Sequence, residues 1–472
     1  MNLAQFFAPE ISVALAALGL LTLDFMAPNR RSLMNGVAYA GLFLAALSAP
    51  FAFKSQPASA FFGLDSLTAG FGLLVLVGTL VAVVMSQEDE SLSRNWGSYL
   101  GLLMSASLGC LMLLKSRDFI FAFVAVELIS ISSFILVAFE RRELALIEGA
   151  LKYFLVGAFS SAIALYGISL YYTAAGTTEF SALGALSANK GAGVGVLMTA
   201  GLLLVFVSFG FKASLAPFHF WVPDAYQSAP TPFTAYLSVV PKVATLGLLA
   251  LLMTSDFGGG SVLTAAALGP TLGVLACLTM TVGNVSAIAQ NNMKRLLAYS
   301  SVAQAGYMLI GVLAASKLGS AGLVLYGFAY LFMNLGAFAC VQWIEKSRGT
   351  VDITACDGLS LSRLPFALAF TAFLLSLAGI PPLVGFLAKY VVFASALEAH
   401  WVWVAVVGVL NSVISVYYYL RIAYRMFFIE EPGGAEALDS RSGLLPVTII
   451  LLLAGTVLLG LYPKPLLALV NF

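Results

Sequence analysis

Residues Gly210–Pro232 read GFKASLAPFHFWVPDAYQSAPTP, and the fold class turns on how this stretch interrupts the chain around it. It sets a lysine, Lys212, shortly before Pro217 inside an otherwise apolar run. A lysine at the centre of a helix in hydrocarbon costs roughly 2.5–3.5 kcal/mol to insert, so it is expected to have a polar partner or a water-filled cavity. Pro217 removes a backbone donor and clashes with the preceding turn, so the helix is expected to kink or open beside the charge. Within a bilayer, broken backbone is tolerated only where protein or water satisfies the freed groups. The stretch therefore predicts a hydrated helix break near mid-bilayer, with Lys212 on it.

The rest of the chain is suited to a bilayer. Of 472 residues, 61% are hydrophobic and 10% charged, with a mean hydropathy of +0.98, which excludes a soluble fold. Apolar runs occur at 8–27, 36–53, 66–86, 97–114, 119–139, 146–173, 194–219, 233–254, 264–289, 296–315, 320–344, 364–394, 401–427 and 444–468. Each can cross about 30 Å of hydrocarbon as a helix, whereas barrel strands would alternate over about ten residues. The fold class is an all-α polytopic membrane protein with about fourteen transmembrane helices and no soluble domain. A net charge of +1 supplies no basic field for nucleic acid. Cys110, Cys277, Cys340 and Cys356 are scattered without metal or redox spacing and read as packing residues. Glu10, with no basic residue before the first apolar run, is unlike a cleaved signal segment.

The connections carry the charge: Arg30 and Arg31, the acidic Gln87–Glu90, ERRE at Glu140–Glu143, Lys294 with Arg295, and Lys346 with Arg348. About thirteen Lys and Arg fall in odd-numbered loops and about six in even-numbered loops and termini, which places both termini away from the cytoplasm. Four lysines remain inside spans, Lys152, Lys212, Lys242 and Lys389, together with the acidic Glu127 in DFIFAFVAVELISISSFILVAF. Unpaired, the five would cost on the order of 10–15 kcal/mol, which only pairing, hydration or loss of charge can lower. For any one of them a snorkelling or structurally paired charge is the plain alternative. As a group they describe sites where a proton is held or released, since apolar surroundings weaken an amine's hold on its proton and a carboxylate restores it.

Leu377–Tyr390, LAGIPPLVGFLAKY, repeats the pattern, with Pro381 and Pro382 breaking a span ahead of Lys389. Breaks at corresponding positions in two halves point to a transport site built on inverted repeats. Lys212 and Lys389 lie 177 residues apart, and the same offset carries Glu127 to Gln304 and Lys242 to Tyr419. His219 follows the first break and can exchange protons near neutral pH or simply cap carbonyls. Asp224 reads as a brace for its loop. His400, beside Trp401 and Trp403, reads as an interfacial anchor.

Three segments, FKASLAPFHFWVPDAYQSAPTPFTAYLSVVPKVA, NMKRLLAYSSVAQAGYMLIG and SLAGIPPLVGFLAKYVVF, resemble the proton-translocating antiporter-like subunits of respiratory complex I over roughly 95–430. The likeness is to the subunit N branch: Lys389 stands where the M branch is acidic, and the long lateral helix of the L branch has no counterpart after the fourteenth span. Gln227-Ser228 departs from a glycine frequent in relatives, a loop detail.

The resemblance implies two inverted five-helix repeats with discontinuous helices: N-terminal helices in 1–95, repeats in 96–256 and 257–430, and a last helix in 431–472. It implies a relay in which Glu127 controls Lys212, Lys152 bridges, Lys242 is central and Lys389 is the exit-side amine, with His219 and Gln304 assisting through water. It implies no cofactor in this chain, with NADH, FMN, iron–sulfur clusters and quinone used elsewhere in the complex. The implied partners are K-, J- and M-like membrane subunits, the hydrophilic redox arm and lipid, in a bacterial inner membrane. A subunit of an Mrp-type cation/proton antiporter, or a purely structural scaffold, are the alternatives.

Overall fold

The computed structural model describes residues 3–54, 61–139, 144–185, 192–253, 261–430 and 443–464. Its architecture rests on α1 (Ala8–Met26), α2 (Arg31–Lys54), α3 (Ser66–Ser86), α4 (Trp96–Lys115), α5 (Phe119–Val137), α6 (Leu144–Ala175), α7 (Ala192–Lys212) and α8 (Val222–Ser228). These are followed by α9 (Thr231–Met253), α10 (Ser261–Ile288), α11 (Met293–Ala314), α12 (Lys317–Arg348), α13 (Leu364–Ala378), α14 (Val384–Glu398), α15 (Val402–Phe428) and α16 (Leu444–Leu461). Among the described residues there is no β-strand, only three isolated bridges. That is what lipid demands, because a helix satisfies its own backbone.

Thirteen of these helices are long and apolar enough to span a membrane. The remaining crossing expected from the sequence, 364–394, is divided into α13 and α14, each too short to span alone. Local sequence sets the ends. Asp65 and Thr68 form a capping box at α3, Asp118 accepts from Ile120 N and Phe121 N at α5, and Ser316 accepts from Gly319 N at α12. Gly349 and Gly379 close α12 and α13 in the left-handed conformation. The segment 140–143 lies outside the described residues, as do most of the residues at the expected boundaries near 256 and 431.

One order of elements occurs twice. Three long helices, a broken one and another long one run α4, α5, α6, α7 with α8, α9, and again α10, α11, α12, α13 with α14, α15. Five crossings separate equivalent helices, so the second set is inverted relative to the first. At the centre, α9, α11 and α12 are buried almost throughout, while α1, α2 and α16 leave most of their surface outside. Ion pairs and hydrogen bonds gather the odd-numbered loops on one face. Arg31 donates to Gln87 O, Lys346 pairs with Glu88, and Arg295 pairs with Asp224. On the other face, Arg117 pairs with Asp65.

Candidate functional site

α7 ends at Lys212 itself, and the chain turns through residues 213–221 before α8 resumes. The freed backbone groups are taken up locally: Leu215 N donates to Gly210 O at 2.8 Å, Phe218 N to Leu215 O at 2.7 Å, and Ala216 N to Thr279 Oγ1 of α10 at 3.0 Å. Lys212 is buried, and its Nζ donates to Ser130 Oγ of α5 and Tyr153 OH of α6, both at 3.1 Å. Trp221, from the far side of the break, stacks on Tyr153 with ring centroids 4.2 Å apart and fixes the phenol under the amine. Glu127 lies one turn before Ser130 and close enough to act on Lys212 electrostatically. Its carboxylate accepts a hydrogen bond from Ser161 of α6, and no ion pair joins it to Lys212. His219 is buried on the turn, within Coulombic reach of Lys242, and its Nδ1 has no protein partner.

Lys242 follows Pro241 at the middle of α9 and is fully buried. Its Nζ donates to Ser301 Oγ of α11 at 2.6 Å and lies 5.5 Å from the Tyr226 ring centroid. The neighbouring Ser300 is hydrogen bonded to Tyr419 of α15. One turn on, Gln304 Nε2 donates to Tyr419 OH at 3.4 Å and to Leu377 O at 3.1 Å, while Tyr326 of α12 donates to its Oε1. The two positions reached by the 177-residue offset thus touch each other, and both sit close to Ser300 and Ser301, of which Ser301 holds Lys242. They also reach the last turn of α13, at the second break.

There, Lys389 of α14 folds back to the open end of α13. Its Nζ donates to Ala378 O at 2.8 Å and Ser412 Oγ of α15 at 3.0 Å, and lies 4.6 Å from the Tyr307 ring centroid. The last carbonyls of a helix have no intrahelical donor and carry the negative end of its dipole, so an amine is favoured at this spot. The half-helices meet at Gly385, where a Cβ would lie 1.8 Å from Ser376 O, so only glycine permits the approach. Asn284 of α10 donates to Tyr307 OH at 3.1 Å and accepts from Tyr418 OH at 2.9 Å, which extends the polar seam beyond Lys389.

Lys152 stands apart. Its side chain is 47% exposed on α6 and pairs with Glu148 at 2.8 Å and Asp224 at 2.9 Å. Asp224 also binds Arg295 Nη1 at 2.6 Å, so the three elements are clasped at the loop-rich face. Burial disfavours the Asp224 charge, but hydrogen bonds from Lys152 and Arg295 outweigh it and hold the carboxyl below its ordinary value of 3.8. The structure therefore brings Lys212, Lys242 and Lys389, with His219 and Gln304, into the interior, leaves Glu127 half-buried one turn from Ser130, and leaves Lys152 at the surface. Ser130, Tyr153, Ser301, Tyr307 and Ser412 are the partners that sequence reading missed. Helical spacing offered a signal for some, since Ser130, Ser301 and Tyr307 each lie three residues from Glu127 or Gln304.

The family described as NADH:quinone oxidoreductase/Mrp antiporter, transmembrane, matches residues 116–415, a range that holds Glu127, Lys152, Lys212, His219, Lys242, Gln304 and Lys389 and ends just before Tyr418 and Tyr419. The chain is also 35% identical to the NADH-quinone oxidoreductase subunit N of Trichlorobacter lovleyi, over 99% of this chain and 98% of the relative. The chain belongs to this antiporter-like family, in its subunit N branch. Among solved structures, a chain of respiratory complex I from Thermus thermophilus aligns with a TM-score of 0.80 at 31% identity, covering 98% of each chain. A chain of the Mrp complex from Dietzia aligns with a TM-score of 0.85 over 100% of this chain and 96% of its own, but at 22% identity it shares the fold alone.

Proposed function

We propose that the chain is the proton-translocating membrane subunit of an NADH:quinone oxidoreductase, with electron transfer from NADH to quinone carried by FMN and iron–sulfur clusters in other subunits. The observation that carries this reading is the file of three buried amines. Lys212, Lys242 and Lys389 each bind a hydroxyl, and two of them sit at breaks that expose helix ends inside the membrane. An amine with no carboxylate bonded to it keeps its proton only weakly in apolar surroundings, so a change in nearby charge transfers that proton to the next site. Glu127, held by Ser161 rather than by Lys212, is the carboxylate whose approach would load Lys212. The proton then passes by His219 to Lys242, along Ser301, Ser300, Tyr419 and Gln304, to Lys389 and out.

Moving one charge against 100 mV costs about 2.3 kcal/mol, which changes in proton affinity of one to two pH units, at about 1.36 kcal/mol each, can supply. The basic odd-numbered loops face the cytoplasm in this reading, the membrane is the bacterial inner membrane, and K-, J- and M-like subunits flank the chain. The division of the chain at 95, 256 and 430 is part of this reading, and the repeated helix order of α4–α9 and α10–α15 supports it. The Mrp antiporter reading shares the fold, whereas near-full-length identity at 35% supports the oxidoreductase. Glu127→Gln and Lys389→Ala in the assembled complex test the proposal. NADH-driven proton uptake into everted vesicles should fall for both at unchanged complex content, and wild-type uptake in both would overturn the relay.

A further inference from the structure

We infer that Lys242 has a direct inlet of its own from the loop-rich face, loaded at Glu345 and running between α9 and α12; this rests on the relay reading above. A cavity of about 500 Å³ opens at that face where the turn at 88–91, the end of α8 and the ends of α11 and α12 converge. Its lining sets four acidic residues, Glu88, Asp89, Glu90 and Glu345, against two lysines, Lys294 and Lys346, and this acidic excess favours cations at the mouth. On its floor Glu345 divides its two oxygens: one accepts from Thr231 Oγ1 and the other pairs with Lys294 Nζ at 3.3 Å. Lys294 is buried and also donates to Ala229 O at 3.1 Å, so the cation is pinned and the carboxylate is the group that faces the cavity.

From Thr231 a polar stripe descends α9. Thr231, Thr234, Ser238 and Lys242 follow at spacings of three and four, which is one face of a helix, on an element otherwise buried throughout. Eleven residues at about 1.5 Å each carry the stripe roughly 16 Å inward, about half the hydrocarbon thickness. The opposing face of α12 carries Glu345, Gln342, Asn334 and Tyr330, and Asn334 Nδ2 donates to Ser238 Oγ at 2.6 Å, which ties the two faces together. Along that face three buried oxygens have no protein partner: Gln342 Oε1, which belongs to a cavity-lining residue, Asn334 Oδ1 and Tyr330 OH. A buried polar atom left unsatisfied costs about 1–3 kcal/mol, and protein interiors meet that cost with water. Asn334 Oδ1 and Tyr330 OH lie one turn apart beside the inner part of the hydroxyl stripe, Gln342 Oε1 lies two turns outward at the cavity beyond Phe338, and together with Thr231, Thr234 and Ser238 they mark a water path whose inner end is Lys242. In each cycle a hydrated proton from the cavity neutralises the Glu345 carboxylate. Glu345 passes that proton through water and hydroxyls to the neutral Lys242 amine, and returns to the carboxylate paired with Lys294.

The test uses the whole complex in everted vesicles, with NADH-driven proton uptake per assembled complex as readout. Asn334→Leu keeps the branched shape and removes the polar lining, and Glu345→Gln keeps an acceptor for Thr231 and removes the proton site. Each should lower uptake about tenfold, while Asn334→Ser and Glu345→Asp restore most of it, a recovery that a purely structural role would not produce. Wild-type uptake in Asn334→Leu overturns the inlet. Should that variant assemble poorly, Ser238→Ala removes one hydroxyl at almost no change in volume; reduced uptake supports the inlet and unchanged uptake overturns it. Lys242→Ala separates this from the relay: if it pumps normally the relay itself falls, and if it is inactive while Asn334→Leu is normal, only the inlet falls.

Discussion

Replacing Gly379 by alanine moves Lys389 without touching its charge. Gly379 closes α13 at φ +87°, a conformation that costs a residue with a Cβ roughly 1–2 kcal/mol. The new Cβ would lie 2.8 Å from Lys389 Cδ and 3.3 Å from its Nζ, so the side chain must swing away from Ala378 O, which it now meets at 2.8 Å. A hydrogen bond to a charged group contributes about 1.5–3 kcal/mol, so misplacing the amine should slow proton transfer through it roughly 10- to 150-fold. Gly349→Ala is the matched control. It also places a Cβ at positive φ, +67°, at the end of α12, but with nothing within 4 Å. NADH-driven proton uptake, normalised to complex content on native gels, should fall sharply for Gly379→Ala alone. Equal uptake per complex in the two variants would refute the role given to the amine's position.

Tyr153→Phe removes one of the two hydroxyls on Lys212 and leaves Ser130, so uptake should fall by about one order of magnitude at normal assembly, matching about 1.5 kcal/mol. The buried pair of Lys115 with Glu10, 2.8 Å apart between α4 and α1, lies outside the relay. Glu10→Ala should therefore cost about 3–5 kcal/mol, seen as less assembled complex on heating, while uptake per surviving complex is unchanged. Asp224 supplies a pH dependence. Because its carboxyl lies below its ordinary 3.8, the clasp with Lys152 and Arg295 contributes in full above that value and is lost only as pH falls through the lowered one. Asp224→Asn should thus lower the thermal midpoint by a constant amount across about pH 5–9, with the difference from wild type vanishing in stronger acid.

The breaks at Lys212 and Lys389 were legible because proline beside a lysine in hydrocarbon has few physical explanations. The pairing of Gln304 with Tyr419 was half legible, as an offset between two halves whose meaning depended on the fold. Lys152 does lie within a spanning helix, as its apolar run indicates, but hydropathy reports the run around a residue and not which face of α6 it occupies, so its exposure was not legible. Charge alone suggested a direct Glu127–Lys212 pair, whereas the carboxylate accepts from Ser161 and the amine donates to Ser130 and Tyr153. Hydroxyl partners stayed hidden because Ser and Tyr are common in membrane helices, and only packing selects those that face an amine.

The central claim is that the three buried amines exchange protons during turnover. The most direct measurement is nitrogen-15 NMR of the lysine Nζ resonances in the assembled complex, assigned with Lys212→Arg, Lys242→Arg and Lys389→Arg and recorded at rest and under NADH. The account predicts that at least one assigned resonance moves between the neutral-amine and ammonium positions when electrons flow. All three holding one unchanged protonation state in both conditions would contradict it.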